Sequence, residues 1–393
     1  MIDILVISHA SFRRVNRLIY NILSKEYGLN ICILAPTSLV QGGKILEADA
    51  ELENDTKVIF RELKGANPRN YGFKGTIALL DELKPKMIYL DNDPISIQAI
   101  NLGNWAMKNK SSLVCLTCEN LKFDLINSVK RVGTKGILFS VFKTLLLWFS
   151  RSNVSHVFAI NNSGLEIYKS LGFKSVSLTP LGFDPKIFYP NLVERTNKRA
   201  ELGINESTIV FAYIGRTVYE KGVHVLLKSL SLLEKGNWVF ILDKFSATKT
   251  SYQEEIISLI EAYKLTDNVL YFDAPHAEIA KYMNAADVVI VPSISVPKWV
   301  EQYGRVAPEA MACGKIVVAS NVGALPEIIA DAGILVEENN ALELKNVLSK
   351  LISEPNTYAE LKDKAYNRAH SKYSIDVQAK LLHETFKKMY SKV

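Results

Sequence analysis

The segment Glu301-Gln-Tyr-Gly-Arg-Val-Ala-Pro-Glu309-Ala-Met-Ala-Cys-Gly314 sets two carboxylates eight residues apart around an expected helix start. Pro308 suits the first turn of a helix, where its missing N–H is not needed, and Gly314 suits the position just past the end. The peptide N–H groups of Gly304, Arg305 and Val306, with Tyr303 before them, then lie at a helix N-terminus, where amides and dipole together attract an anion. Gly304 carries no side chain, so a phosphate can come close to the backbone. A carboxylate at Glu309 can accept hydrogen bonds from paired hydroxyls such as those of a ribose, and Glu301, across the loop, can do the same for a sugar. Taken alone, two glutamates around a helix start are more often solvated surface.

A second segment, Gly215-Arg216-Thr-Val-Tyr-Glu220-Lys221-Gly222, follows directly on an apolar strand run. Gly215 at the strand end and the cations Arg216 and Lys221 put two positive groups at the carboxyl edge of a sheet. Arg grips phosphate through its planar fork and Lys adds a point charge. With an anion site in the same half of the chain, the pair would hold a diphosphate.

These residues need a rigid frame, and the chain supplies one. Short β-branched runs alternate with longer helical patterns throughout: Ile2–Ser8, Asn30–Ala35, Met87–Asp91, Ser112–Thr117 and His156–Ile160, then Thr208–Ile214, Trp238–Asp243, Asn268–Asp273, Asp287–Pro292 and Lys315–Ser320. Near-continuous apolar runs of this length suit parallel strands buried on both faces, and strand–helix alternation means doubly wound α/β sheets. Three prolines and a glycine between Thr179 and Pro190 mark a seam. The expected domains are residues 1–185 and 191–371. In doubly wound sheets ligands bind at the carboxyl ends of the strands, so two such domains would face a shared cleft.

At 48% hydrophobic and 22% charged, the 393 residues have a globular composition, and each half can bury a stable core without disulfides. The net charge of +6 permits attraction to anionic lipid or phosphate-rich substrates but does not by itself indicate nucleic acid. Cys32, Cys115, Cys118 and Cys313 form no disulfide framework, and Cys115-x-x-Cys118 lacks a second pair for zinc. A reducing, cytoplasmic setting is expected. MIDILVISHA reads as a first strand rather than a signal peptide, and no run reaches the ~20 uncharged apolar residues of a spanning helix.

Residues 122–151 depart from this pattern. Six cations (Lys122, Lys130, Arg131, Lys135, Lys143 and Arg151) face one acid, Asp124, and enclose the almost wholly apolar GILFSVFKTLLLWFS. Either this is a buried helix with basic neighbours, or it is an interfacial helix lying on an anionic membrane surface. Lys143 in its middle argues against a membrane span.

With these motifs in hand, the chain resembles the family 4 glycosyltransferases. The resemblance rests on Gly215-Arg216…Glu220-Lys221-Gly222, on Ala285-Ala286-Asp287 followed by Val291-Pro292-Ser293, and on the Glu301…Glu309 block ending Ala-Met-Ala-Cys-Gly. The run Val317-Val318-Ala319-Ser320…Gly323…Pro326-Glu327-Ile328-Ile329 continues it. It is dense from about Gly215 to Gly333 and thinner before, as in Pro180-Leu181-Gly182-Phe183-Asp184. The family implies a GT-B fold and retaining transfer from a nucleotide diphosphate sugar, with no further cofactor and no metal. It implies that Arg216 and Lys221 meet the donor diphosphate, Glu309 the ribose, Glu301 the sugar hydroxyls, and the Tyr303–Val306 backbone the distal phosphate. The first domain would bind the acceptor, and a final helix within 372–393 would cross back onto it.

The sequence departs from the family in three places. The first loop, Ser8-His9-Ala10-Ser11-Phe12-Arg13-Arg14, lacks the glycine pair many members place against the donor; its start resembles a subgroup in which His9 faces the cleft. Where many members carry a donor-contacting histidine, this chain has Thr117-Cys118-Glu119-Asn120, which puts Glu119 in that role, with Asn120, Asp93 and Arg13 as acceptor-side candidates. Asp243-Lys244-Phe245 replaces the usual glycines near the base. Asp91-Asn92-Asp93 invites a metal reading, yet it ends a buried strand before Pro94, where Asp93 instead faces the acceptor or caps the helix near Ile95. His156, His224, His276, His370 and His383 are read as structural or surface residues.

The chemistry implied is loss of a nucleoside diphosphate dianion from a sugar whose anomeric carbon becomes positive, with cations stabilising the leaving group. The acceptor expected from the basic apolar region is a saccharide or lipid-linked saccharide of bacterial surface polysaccharide or lipopolysaccharide assembly. A nucleotide-sugar epimerase, a non-catalytic sugar-nucleotide-binding protein and an inactive scaffold are the competing readings.

Overall fold

The computed structural model describes all residues except 1, 42–43, 54, 66–70, 235, 246–248, 355–357 and 391–393. The chain forms two compact units, residues 1–182 with 375–393, and residues 183–374. The second unit takes in most of the proline-rich seam. Phe183 and Phe188 are almost fully buried, and the Phe183 amide donates to the Tyr373 carbonyl at 2.9 Å. Burial of those two rings, rather than the backbone punctuation, sets the boundary.

The strands of the first unit are β1 (Ile4–Ile7), β2 (Ile31–Pro36), β3 (Ser38–Gln41), β4 (Lys44–Glu47), β5 (Val58–Arg61), β6 (Leu63–Lys64), β7 (Gly72–Phe73), β8 (Met87–Asp91), β9 (Ser112–Thr117), β10 (His156–Ala159) and β11 (Val176–Leu178). Seven form a parallel sheet in the order β11-β10-β9-β8-β1-β2-β5, while β3-β4 and β6-β7 are small antiparallel hairpins. Chain order reverses between β1 and β8, whose Ile4 and Met87 lie in register. Ligands of such sheets bind at the carboxyl edge of that switch point. The last helix, Ile375–Tyr390, belongs to this unit: Phe386 meets Tyr89 and Phe158 edge-on, and the Tyr390 hydroxyl donates to the Asp3 carbonyl at 3.2 Å.

The second unit has β12 (Ile209–Tyr213), β13 (Trp238–Asp243), β14 (Val269–Phe272), β15 (Val288–Val291), β16 (Ile316–Ser320) and β17 (Ile334–Val336), parallel in the order β14-β13-β12-β15-β16-β17. Its switch point lies between β12 and β15. Asp287, part of the Ala-Ala-Asp motif, is structural. Its carboxylate accepts from Arg195 at 2.9 Å, from buried Arg199 at 2.8 Å and from the Val210 amide at 2.8 Å. That charge-assisted cluster ties the helix Leu192–Glu201 to the start of β12. All ten expected strands are present within a residue or two. The sequence reading missed the edge strands β5, β11 and β17 and both hairpins, which are too short for a periodic signal.

Candidate active site

In the second unit the expected donor residues converge on the switch point. After β12 the chain passes Gly215 and Arg216, and the Arg216 carbonyl is held by the Tyr213 hydroxyl at 2.6 Å. The Arg216 guanidinium is exposed and has no ion-pair partner among the described residues. A short 3-10 turn, Tyr219–Lys221, then delivers Lys221 and ends at Gly222 with φ +67°. A Cβ at Gly222 would fall 1.9 Å from the Pro292 carbonyl oxygen, so only glycine lets this loop lie against the end of β15. The Ile294 amide closes the contact by donating to the Glu220 carbonyl at 2.9 Å.

Glu301 is buried at 4% exposure. Its Oε2 accepts from Lys221 Nζ at 2.5 Å and from Ser293 Oγ at 2.8 Å. The Lys221 ammonium also lies 5.0 Å from the centroid of the Trp299 ring. Gly323, φ +59°, sits where a Cβ would come within 2.1 Å of the Glu301 carbonyl oxygen, so the loop before Pro326 packs directly onto the glutamate's backbone. Tyr303 is buried beside it, and desolvation pushes its phenol well above the ordinary range.

The helix containing Glu309 runs Val306–Ala312, with Pro308 in its first turn and Gly314 at φ +66° beyond its end. It is only two turns long, so its dipole is weaker than a full-length helix would give. Among the described residues the Gly304 and Val306 amides have no acceptor. The Glu309 carboxylate is also buried, at 4% exposure, yet the His276 ring at 3.6 Å and the Arg305 guanidinium at 3.9 Å both lie beyond hydrogen-bonding distance. Its lone pairs are therefore open to hydroxyl donors. Where the family's glycines are missing, Asp243 ends β13. Burial and neighbouring Asp273 raise its carboxyl to about 6, against hydrogen bonds from the Gly215 and Lys244 amides.

In the first unit, the Ser8 hydroxyl donates to Asp91 Oδ2 at 2.6 Å, and the Tyr71 hydroxyl donates to the Asp91 carbonyl at 3.0 Å, bracketing the switch point. His9 packs on the Tyr71 ring at 4.8 Å, and its Nδ1 is buried with no hydrogen-bond partner among the described residues. Beside this edge, a cavity of about 560 Å³ is lined by Tyr71, Phe73, Thr76, Ser96, Gln98 and Asn101, among others.

Three of the expected site residues, Asp93, Arg13 and Glu119, are engaged within the fold. Asp93 is not open to a ligand: one carboxylate oxygen accepts from Lys143 at 2.5 Å, the other from the Tyr168 hydroxyl at 2.9 Å and the Ile95 amide at 2.8 Å. Nor does it cap the following helix, Ile97–Lys108; Ser96 does, accepting from the Ala99 amide at 3.1 Å. Arg13 is paired with Asp49 at 2.9 Å and fixes its own loop. Glu119 Oε1 accepts from the amides of Asn120 and Leu121 at 3.2 and 3.1 Å, bracing the turn after β9. Cys115 is wholly buried and desolvation holds its thiol well above the ordinary range, which removes it as a thiolate ligand. The roles of Ser293, Trp299, Gly323 and Tyr71 escaped the sequence reading; only Ser293 and Gly323 stood inside recognised motifs.

Residues 194–368 match the family model for glycosyl transferases group 1, the family 4 type. The match lies within the second unit and spans less than half of the chain. A D-inositol 3-phosphate glycosyltransferase from Segniliparus rotundus is 36% identical over 170 residues, which is 42% of this chain and 36% of the relative. The matched segment spans about a third to a half of the length of such curated relatives. Among solved structures, sucrose-phosphate synthase from Thermosynechococcus elongatus is 18% identical with a TM-score of 0.74 over 100% of both chains. Anabaena HepE in complex with UDP and glucose is 18% identical with a TM-score of 0.73, over 99% of this chain and 100% of that one. These likenesses show that the fold is GT-B.

Proposed function

We propose that this glycosyltransferase moves a hexose-type sugar from a nucleotide diphosphate sugar to a saccharide or lipid-linked acceptor, with retention of configuration and without a metal. The observation that carries this reading is the buried, hydrogen-bond-hungry Glu309 carboxylate beside the unpaired Gly304 and Val306 amides, in the same unit as the unpartnered Arg216. A ribose supplies paired hydroxyl donors to the first, and a diphosphate supplies acceptors to the other two. HepE, of the same fold, is a UDP complex.

As the anomeric carbon–oxygen bond breaks, the departing diphosphate gains charge. Arg216 and the loop amides are preorganised to receive it. Lys221 donates to Glu301 and retains further N–H donors for a phosphate oxygen. Glu301, oriented by Lys221 and Ser293, accepts from the sugar hydroxyls. The acceptor oxygen attacks from the face that the leaving group vacates, and its proton passes to the departing phosphate oxygen. Asp243, at the edge of β13, stands where the base would be read. The cavity beside Tyr71 and His9 takes the acceptor. Surface polysaccharide or lipopolysaccharide assembly is the setting that fits such an acceptor; the inositol phosphate relatives match about half of the chain or less.

The test is a thermal-shift screen with uridine, guanosine and adenosine diphosphate sugars, followed by product analysis. A donor at a hundred times its Kd stabilises the protein by about 2.7 kcal/mol, or roughly 5–10 °C for a unit of this size. The product anomer, read by NMR, reports retention. If Arg216→Ala and Glu309→Ala both leave turnover intact, the assignment fails. Isomerisation of donor incubated alone would make the protein an epimerase instead.

A further inference from the structure

The helix Lys135–Asn153 reverses the usual amphipathic order. Its fully buried residues are small or polar, Gly136, Ser140, Ser150 and Asn153, and beside them Leu146 and Leu147 pack partly buried against the unit's core. Asn153 donates to Asn104 of the neighbouring helix at 2.8 Å. Lys143, the one charge inside the apolar run, turns inward to Asp93 at 2.5 Å and the Ile95 carbonyl at 2.8 Å. The outward face is apolar and aromatic. Leu138 is 75% exposed and Trp148 67%, with Val141, Phe142, Leu145 and Phe149 each about half exposed between them. The preceding helix, Leu125–Val132, adds Leu125 and Ile126, the latter 68% exposed. A contiguous exposed apolar face of this kind marks an interaction surface.

Charge decides what covers it. Exposed Lys122, Lys130, Lys135 and Arg151 frame the face. The single acid, Asp124, is spent as a helix cap on the Asn127 amide and side chain. A second copy of the same face would set cations against cations. No helix among the described residues is long and apolar enough to cross a membrane. An anionic lipid surface satisfies both features at once, taking the aromatic and aliphatic side chains at the acyl boundary and the lysines at headgroup phosphates.

We propose that the face built by residues 125–153 docks the first unit on an anionic membrane surface. The Lys143–Asp93 pair couples that face to the carboxyl edge of β8, and the helix Ile97–Lys108 lies between it and the cavity beside Tyr71. Docking would therefore bring the cavity towards lipid-borne substrates, a consequence that rests on the transferase reading, whereas docking itself does not.

The experiment is flotation of the full chain with phosphatidylcholine vesicles, with and without phosphatidylglycerol. Binding is expected only with the anionic lipid, and it should weaken with salt. Leu138→Ser combined with Trp148→Ser should lower binding by about tenfold or more, as expected when two large apolar groups no longer enter lipid. Its melting temperature should not fall, because both side chains already face water. Leu146 is unsuitable for this purpose, since it packs against the unit's core. Lys130→Gln combined with Lys135→Gln should lower binding by about fivefold per cation. The proposal is overturned if the wild-type chain does not float with phosphatidylglycerol vesicles or if both variants bind undiminished. It is equally overturned by a lower melting temperature for the apolar variant, which means a buried face, or by a dimer that this variant dissociates, which means a second copy covers it.

Discussion

Glu301 and Lys221 form the tightest charged contact at the donor site, and their coupling can be measured. The N···O distance is 2.5 Å, with the side chains 5% and 19% exposed. At an effective dielectric of about 20, two unit charges this close attract by roughly 7 kcal/mol. Desolvation of both groups takes back much of that. A charge-assisted hydrogen bond of about 1.5–3 kcal/mol remains. Lys221→Met alone removes the cation from a buried carboxylate that also accepts from Ser293, and it should cost about 3–5 kcal/mol. Glu301→Gln alone keeps a neutral acceptor for Lys221 and should cost less, about 2–3 kcal/mol. The double variant should therefore be less destabilised than the sum of the two, by about 1.5–3 kcal/mol. Urea unfolding of the four proteins, followed by tryptophan fluorescence with Trp299 close to Lys221, gives the cycle. Catalysis should separate from stability, with the double variant folded but inactive. A coupling below about 0.5 kcal/mol would refute the argument that Lys221 holds Glu301 in place.

Three other outcomes follow from the same structure. Gly222→Ala should lower the melting temperature and raise KM for the donor more than it lowers kcat, because a Cβ 1.9 Å from the Pro292 carbonyl at φ +67° must displace the loop that carries Lys221. Burial depresses the His156 imidazole to about 4, so its contribution to folding is present above the ordinary histidine value of 6.5 and is lost as pH falls towards 4. His156→Asn should flatten the acid limb of the first unit's pH–stability profile, read by thermal melts. Asp243 has the opposite sign. Its carboxyl, raised from 3.8 to about 6, supports folding in acid and loses that support as pH rises through 6, so Asp243→Asn should gain relative stability above pH 6.

The two sheets were legible because buried parallel strands leave continuous β-branched runs such as Val288–Val291 and Ile316–Ser320, which few other structures tolerate. The donor residues were legible because their demands are local: a strand end, a helix start, and a glycine where the backbone must turn. The first unit's candidates were less so. Asp93 and Arg13 are polar residues in the expected loops, and sequence position says nothing about whether a carboxylate is already occupied. Lys143, fifty residues away along the chain, takes up Asp93, and Asp49 takes up Arg13.

Residue type and spacing alone determined the α/β architecture, the clustering of the candidate donor residues in the second unit, and the existence of one basic, apolar segment. They could not determine which way that segment faces. Its apolar residues outnumber any single helical face, so periodicity left buried and interfacial readings open. Tertiary packing decided which side of it faces outward. The small and polar stripe turned inward, with Gly136 against the Ser128 backbone, Lys143 on Asp93, Asn153 on Asn104 and Ser140 and Ser150 buried, which left Leu138 and Trp148 in water. Likewise, Glu301 and Glu309 read as equivalent carboxylates in sequence. Only the fold gave one of them a lysine and left the other with open lone pairs, because partners separated by eighty residues meet only at the sheet's switch point.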